Sequence, residues 1–167
     1  GAEVPFFLAP GPALVGGIGE QIEPAPALPR LALVLAHPGD SLATAQVYAT
    51  WDTLEPALTP RQPGSTLRAL SDLLACDPSD RRARAARLGA LIVNDLEAAA
   101  VRLCPPIRRL ARAIAGTGAL ATAMSGSGAA VYGIFASGEE AAAAIERVRE
   151  AAGARGWVRL AVTGGSG

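Results

Sequence analysis

The order of its apolar segments is the feature that most restricts the fold of this chain. Short apolar runs predict strands at Leu31–Ala36, Leu120–Met124, Ala129–Phe135 and Trp157–Val162. Stretches with helical spacing lie between them, at Ser65–Leu74, at Asp80–Leu103, from Pro106 to Ile114 and at Glu139–Ala152. The order strand, helices, strand, strand, helix, strand is that of a split βαβ fold. We therefore predict an α+β, ferredoxin-like domain over residues 30–163, with helices on one face of a four-stranded sheet.

Residues 1–29 differ in composition from the rest of the chain and are rich in proline and glycine. Apolar runs at Val4–Leu8 and Ala13–Val15, with a Gly16–Gly19 turn, predict short strands joined by tight turns. Prolines at positions 24, 26 and 29 predict a stiff connector, because they lack the N–H group that regular pairing needs. We therefore place a domain boundary near residue 29, with residues 1–29 as the end of a preceding domain and 164–167 as a flexible tail. Because the chain begins at Gly1 and not at methionine, we expect either that it was processed or that it is part of a longer polypeptide.

The composition argues against several classes of partner. The chain has 167 residues with 15 acidic and 15 basic side chains and 4% aromatics, whereas nucleic-acid grooves need a basic field and stacking rings. No signal peptide opens the chain, and the uncharged stretch 113–138 is interrupted by turn residues. We expect a cytoplasmic protein without nucleic-acid or membrane partners. Cys76 and Cys104 have no companion ligands at zinc spacing, so we expect free thiols and no metal site.

The segment Ser125–Gly128 follows one predicted strand and precedes another. A dinucleotide-binding loop needs a third glycine and a following helix, so that assignment fails. Two interpretations remain: a hairpin turn, for which glycine supplies positive φ, and a nest of backbone N–H groups and serine hydroxyls that faces an anion.

Four other residues and one segment carry candidate chemistry. Glu3 is either a solvated acid at a strand end or a general base for a hydroxyl proton. His37, which is the one histidine of the chain, is favoured as a structural imidazole at the end of its strand. Tyr48 and Trp51 either fill the core or stack on a nucleobase. The polar Asn94–Glu97 segment lies inside a predicted helix against its propensity, which indicates structural hydrogen bonds.

The order of four sequence blocks resembles the C-terminal part of the GHMP small-molecule kinases, and most closely the 4-diphosphocytidyl-2-C-methyl-D-erythritol kinase family. The blocks are Gly1–Phe7, Gly17–Glu20 with Pro24, His37–Gly39 continuing through Thr44 to Tyr48, and Asn94–Glu97 leading to Met124–Gly128. The resemblance spans nearly the whole chain. It implies a split βαβ C-terminal domain preceded by the last short strands of an N-terminal domain, in agreement with the predicted order of elements.

The resemblance implies transfer of a phosphoryl group from ATP, with Mg²⁺, to the 2-hydroxyl of 4-diphosphocytidyl-2-C-methyl-D-erythritol, a step of non-mevalonate isoprenoid biosynthesis. Glu3 occupies the position of the family's general base, Tyr48 that of the ring that stacks on cytosine, and Thr44 lies near the nucleoside. The loop of the phosphate pocket corresponds to Ser125, Gly126, Ser127 and Gly128. The small-molecule substrate and ATP are thus the implied ligands.

Two departures from the family pattern shape the expected activity. The family base is aspartate, and Glu3 is one methylene longer. All 15 basic residues are arginine, so this chain cannot supply the family's catalytic lysine, which belongs to an N-terminal half together with the phosphate loop. We expect the chain to be inactive without that half, because phosphoryl transfer depends on positioning and charge stabilisation. The alternatives are a non-catalytic small-ligand binding module derived from a GHMP kinase, or another member such as a homoserine or mevalonate-type kinase.

Overall fold

The computed structural model describes residues 13–16, 20–24, 30–54, 69 and 80–163. The strands within these ranges are β1 (Ala13–Gly16), β2 (Gln21–Pro24), β3 (Ala32–His37), β4 (Ala121–Met124), β5 (Val131–Phe135) and β6 (Trp157–Val162). The helices are α1 (Thr44–Thr53), α2 (Arg81–Leu91), α3 (Glu97–Leu103), α4 (Pro106–Ala115) and α5 (Gly138–Ala152). The predictions for Val4–Leu8, Ser65–Leu74, Cys76 and the 164–167 tail lie outside the described residues.

Four of the strands form one antiparallel sheet in the order β4-β5-β3-β6. The central strand β3 pairs with β5, placing Leu33 opposite Ile134, and with β6 on its other side, placing Leu33 opposite Ala161. Because β3 is followed by helices, then by the β4–β5 hairpin, and then by α5 and β6, this is the split βαβ arrangement. The predicted α+β fold is confirmed.

Helices α4 and α5 cover one face of the sheet. Ile107, Leu110 and Ile114 follow the spacing of a single helix stripe, and none of them is exposed. Burying each such side chain stabilises the fold by about 1.5–3 kcal/mol. Helix α4 comes close to β5 because residue 133 is glycine: a Cβ atom there would overlap with Ile114 Cγ2.

Helix α2 packs on the opposite face, where the order of elements predicted no helix. Its Ala85 and Leu88 contact a second apolar cluster that includes Leu33, Ile134 and Tyr132. Residues of β5 alternate between the two clusters, as successive strand residues must. The sheet therefore carries helices on both faces.

The prediction of one helix over Asp80–Leu103 is wrong, because residues 92–96 separate α2 from α3. Asn94 stabilises this non-helical connector. Its Oδ1 accepts a hydrogen bond of 3.0 Å from the backbone N–H of Leu96, which offers this N–H an alternative to the helical ladder. Asn94, Asp95 and Leu96 thus belong to the connector between the two helices, and Glu97 is the first residue of α3.

Strands β1 and β2 form a separate two-stranded antiparallel sheet, in which Val15 lies opposite Ile22. Pro24 is the last residue of β2 and not part of a connector, since it pairs with Ala13. The domain boundary near residue 29 remains a prediction. No helix in the described part of the chain is long and apolar enough to cross a bilayer.

Candidate functional site

The Ser125–Gly128 loop joins β4 to β5, so the hairpin interpretation is confirmed. The loop is closed by hydrogen bonds from Ser125 N–H to Ala130 O, at 2.9 Å, and from Gly128 N–H to Ser125 O, at 3.0 Å. Gly126 has a φ of +56° and Gly128 of +91°, whereas the intervening serine does not have a positive φ. Such alternation of the sign of φ is the backbone pattern of an anion-binding nest. The two interpretations of this loop are therefore compatible.

The backbone carbonyl oxygens and the backbone N–H groups of this loop have different surroundings. The side-chain amide of Asn94 donates to the carbonyl oxygens of Met124, at 2.9 Å, and of Gly126, at 2.8 Å. Among the described residues, the backbone N–H groups of Gly126 and Ser127 have no hydrogen-bond partner. The loop thus ties up carbonyl oxygens on its inner side and leaves N–H donors at its tip, which suits a phosphate oxygen.

Helix α1 begins beside this loop. The hydroxyl groups of Thr44, its first residue, and Ser127 lie 2.9 Å apart, within hydrogen-bond distance. Tyr48 stands one helical turn after Thr44 and so shares its face of the helix. Its side chain is 52% exposed, whereas Val47 and Trp51 pack into the core. The structure therefore joins Thr44 to the predicted phosphate loop and leaves an exposed aromatic ring on the same face of the helix.

The remaining candidate residues have separate locations. Glu3 lies outside the described residues. His37 Nδ1 accepts a hydrogen bond of 2.9 Å from Gly39 N–H, and its ring stacks on that of Trp157 with centroids 5.6 Å apart. These contacts hold the imidazole at the end of β3, as expected of a structural histidine.

Cys104 is buried, and its thiol is free. Burial raises its pKa above the usual 9.0, and the negative charge of Asp40 adds to the effect. Burial likewise raises the pKa of Tyr132, with a further contribution from Glu97. Both groups are therefore neutral near pH 7 and supply neither an anion nor a base.

The described residues contain no group of three or more His, Cys, Asp or Glu side chains that could hold a metal ion. The N–H-lined loop, in contrast, fits the phosphate groups of a nucleotide or of a diphosphate-bearing substrate.

Asn94 is the site residue whose role was not identified from the sequence. It is the single asparagine of the chain, and the pattern suggested only that it makes structural hydrogen bonds. Its partners in the loop lie 30 and 32 residues further along the chain. The one local signal was a polar residue placed in a helical pattern against its propensity.

Comparison with known proteins assigns the class. Residues 66–154, more than half of the chain, match the family described as GHMP kinases C terminal. The chain therefore belongs to the GHMP kinases. In fold alone it is also similar to the homoserine kinase of Cytophaga hutchinsonii, with a TM-score of 0.59 at 18% identity over 90% of this chain and 47% of that one.

More specific similarity is to one group of these kinases. The chain is 38% identical over 119 residues to 4-diphosphocytidyl-2-C-methyl-D-erythritol kinase of Moorella thermoacetica. The aligned segment covers 71% of this chain and 39% of that protein. The enzyme of the same name from Nocardia farcinica is 38% identical over 120 residues, covering 72% and 37%. A crystal structure of 4-(cytidine 5'-diphospho)-2C-methyl-D-erythritol kinase superposes with a TM-score of 0.68 at 30% identity, covering 99% of this chain and 55% of that one. The chain thus matches well under half of the length of these two curated relatives.

Proposed function

We propose that this chain is the C-terminal portion of an ATP-dependent kinase that phosphorylates the 2-hydroxyl of 4-diphosphocytidyl-2-C-methyl-D-erythritol. The observation that carries the proposal is the contact between Thr44 and Ser127. It joins an N–H-lined loop, suited to phosphate, to the helix face that exposes Tyr48, suited to a nucleobase. A cytidine diphosphate offers both groups in one molecule. The relatives that carry this name favour this substrate over homoserine or mevalonate.

Each residue has a defined role in this proposal. Tyr48 stacks on the cytosine ring, Thr44 holds the loop against α1, and the Gly126 and Ser127 N–H groups hold phosphate oxygens. Glu3 accepts the proton of the attacking 2-hydroxyl. When bound, ATP supplies the phosphoryl group and Mg²⁺ neutralises its charge.

We further propose that the active site is completed by an N-terminal half. The chain matches only 39% of its relative from Moorella, and none of its 15 basic residues is a lysine. In this scheme residues 1–29 end the preceding domain, residues 30–163 form one wall of the site, and the isolated chain is inactive. The whole enzyme acts in the cytoplasm, in non-mevalonate isoprenoid biosynthesis.

The first test is a substrate panel on the full-length protein, with the cytidine substrate, homoserine and mevalonate. Base–aromatic stacking is worth about 1–3 kcal/mol, so Tyr48→Ala raises the KM for the cytidine substrate roughly 5- to 150-fold. Tyr48→Phe keeps the ring and serves as the control, with a KM near that of the wild type. Equal KM values for Tyr48→Ala and wild type would contradict the stacking role.

The second test concerns the proposed base. Glu3→Gln removes the proton acceptor and keeps the size of the side chain, so kcat collapses by about 10²–10⁴-fold while KM changes little. Full activity of this variant would exclude Glu3 as the base. Binding of the cytidine substrate by the full-length protein without any turnover would favour the non-catalytic binding module instead.

A further inference from the structure

Asn94 uses both ends of its side-chain amide at once. Its Nδ2 donates to the carbonyl oxygens of Met124 and Gly126, at 2.9 and 2.8 Å, and its Oδ1 accepts from Leu96 N–H at 3.0 Å. The half-buried Asn94 side chain therefore links the connector between α2 and α3 to the residues before and after Ser125 in the loop. An amide is the side-chain group that provides two donors and an acceptor together.

We propose that Asn94 is a positioning residue that sets the direction of the phosphate-facing loop. The inference rests on the proposed function only in naming substrate phosphate as the anion that this loop faces. Neither the family match nor the names of the relatives assign a role to this asparagine.

The argument depends on the peptide unit between Gly126 and Ser127. In a trans peptide the C=O and N–H groups point in opposite directions. When Asn94 holds the Gly126 carbonyl on the inner side of the loop, the Ser127 N–H must point outward. The Thr44 hydroxyl contacts Ser127 beyond this peptide, so the unit is held from both sides.

Without this anchor the peptide unit has little to prevent it from reversing. Gly126 has no side chain, and a Cβ atom built there would meet no atom within 4 Å. A reversal would turn the Gly126 carbonyl oxygen outward, where it would repel a phosphate oxygen, and would remove the Ser127 donor. Asn94 therefore decides whether the loop tip presents donors or an acceptor.

The test uses the full-length protein and the isosteric variant Asn94→Asp. This variant keeps the acceptor for Leu96 N–H but replaces the donor with an oxygen that repels both carbonyl groups. The control, Asp95→Asn, makes the reverse exchange at the next residue, whose side chain is exposed. A misplacement of about 1 Å costs roughly 100-fold in rate, so we expect kcat to fall about 100-fold for Asn94→Asp. The KM for the cytidine substrate rises as well, because the reversed loop no longer holds the phosphate oxygens of that substrate.

A second measurement does not depend on turnover. In ¹H–¹⁵N spectra of the wild type, inorganic phosphate shifts the backbone amide signals of Gly126 and Ser127. These shifts are lost in Asn94→Asp and kept in Asp95→Asn. Asn94→Ser, which is too short to reach both carbonyls, loses the shifts as well and replaces Asn94→Asp if the latter does not fold.

The outcomes separate this inference from the proposed function. If the wild type is active and Asn94→Asp matches Asp95→Asn in both kcat and phosphate shifts, the inference is wrong and the proposed function stands. If no substrate of the panel is phosphorylated while the shifts follow the expected pattern, the proposed function fails and the positioning role stands. Phosphate shifts that are absent from the wild type, or equal in wild type and Asn94→Asp, overturn the inference.

Discussion

The two loop glycines with positive φ allow a matched test of how the loop is built. Gly126→Ala and Gly128→Ala make the same chemical change two residues apart, at φ values of +56° and +91°. Their surroundings differ. A Cβ atom at Gly126 meets nothing within 4 Å, whereas at Gly128 it lies 2.9 Å from Met124 Sδ and 3.3 Å from Leu42 Cδ2. We expect both variants to be destabilised, and Gly128→Ala more so.

The magnitudes follow from these contacts. Holding a non-glycine residue at positive φ costs about 1–2 kcal/mol, and this is the whole cost expected for Gly126→Ala. Gly128→Ala carries a backbone cost of about 1–3 kcal/mol and, in addition, an overpacking cost of about 1–3 kcal/mol. The flexible thioether of Met124 can move, which keeps the overpacking cost toward its lower end. We expect the free energy of unfolding to fall by about 2–4 kcal/mol for Gly128→Ala.

Urea unfolding of the full-length protein and both variants measures these differences, with turnover recorded in parallel. The expected result is a gap of at least about 1 kcal/mol between the two variants, with Gly128→Ala the less stable. Equal losses of stability would show that the Met124 side chain does not constrain the loop. A larger loss for Gly126→Ala would refute the assignment of that position as open.

Two further predictions concern the neighbours of the loop. Thr44→Val removes the hydroxyl contact with Ser127 but keeps the branched shape of the side chain. We expect the free energy of unfolding to change by less than about 1 kcal/mol and phosphate to bind more weakly. Equal phosphate binding by Thr44→Val and by the control Thr44→Ser, which keeps the hydroxyl, would contradict this prediction. Burial raises the pKa of Cys104, so the thiol holds its proton more tightly in the folded state than in the unfolded state. The contribution of this protonated thiol to stability is therefore complete below about pH 9 and is lost as the pH rises further. Urea unfolding between pH 8 and 10.5 should therefore show a smaller decline for Cys104→Ala than for the wild type, and parallel declines would contradict the raised pKa.

Local sequence patterns predicted those elements whose causes are local. Strand β6 was predicted to the residue at Trp157–Val162. Helix α5 was predicted to within one residue. In the structure Ser137 caps its start, accepting from Glu140 N–H at 3.1 Å, and Gly153 follows its end with a φ of +75°. These signals operate over a few residues. The break between α2 and α3 was missed because Asn94 stands in a helical apolar pattern that continues on both sides of it.

The direction of the loop could not be predicted from its own residues. A Ser-Gly-Ser-Gly segment between two strands is equally suited to a plain hairpin turn and to an anion-binding nest, since glycine permits positive φ in either case. What distinguishes them is which carbonyl groups are held inward, and this is decided by contacts with Asn94 and Thr44, which lie 32 and 83 residues away along the chain. The function of the loop therefore depends on how the two segments that carry Asn94 and Thr44 pack against it. For the same reason, the four sequence blocks indicate a function only when they are taken together.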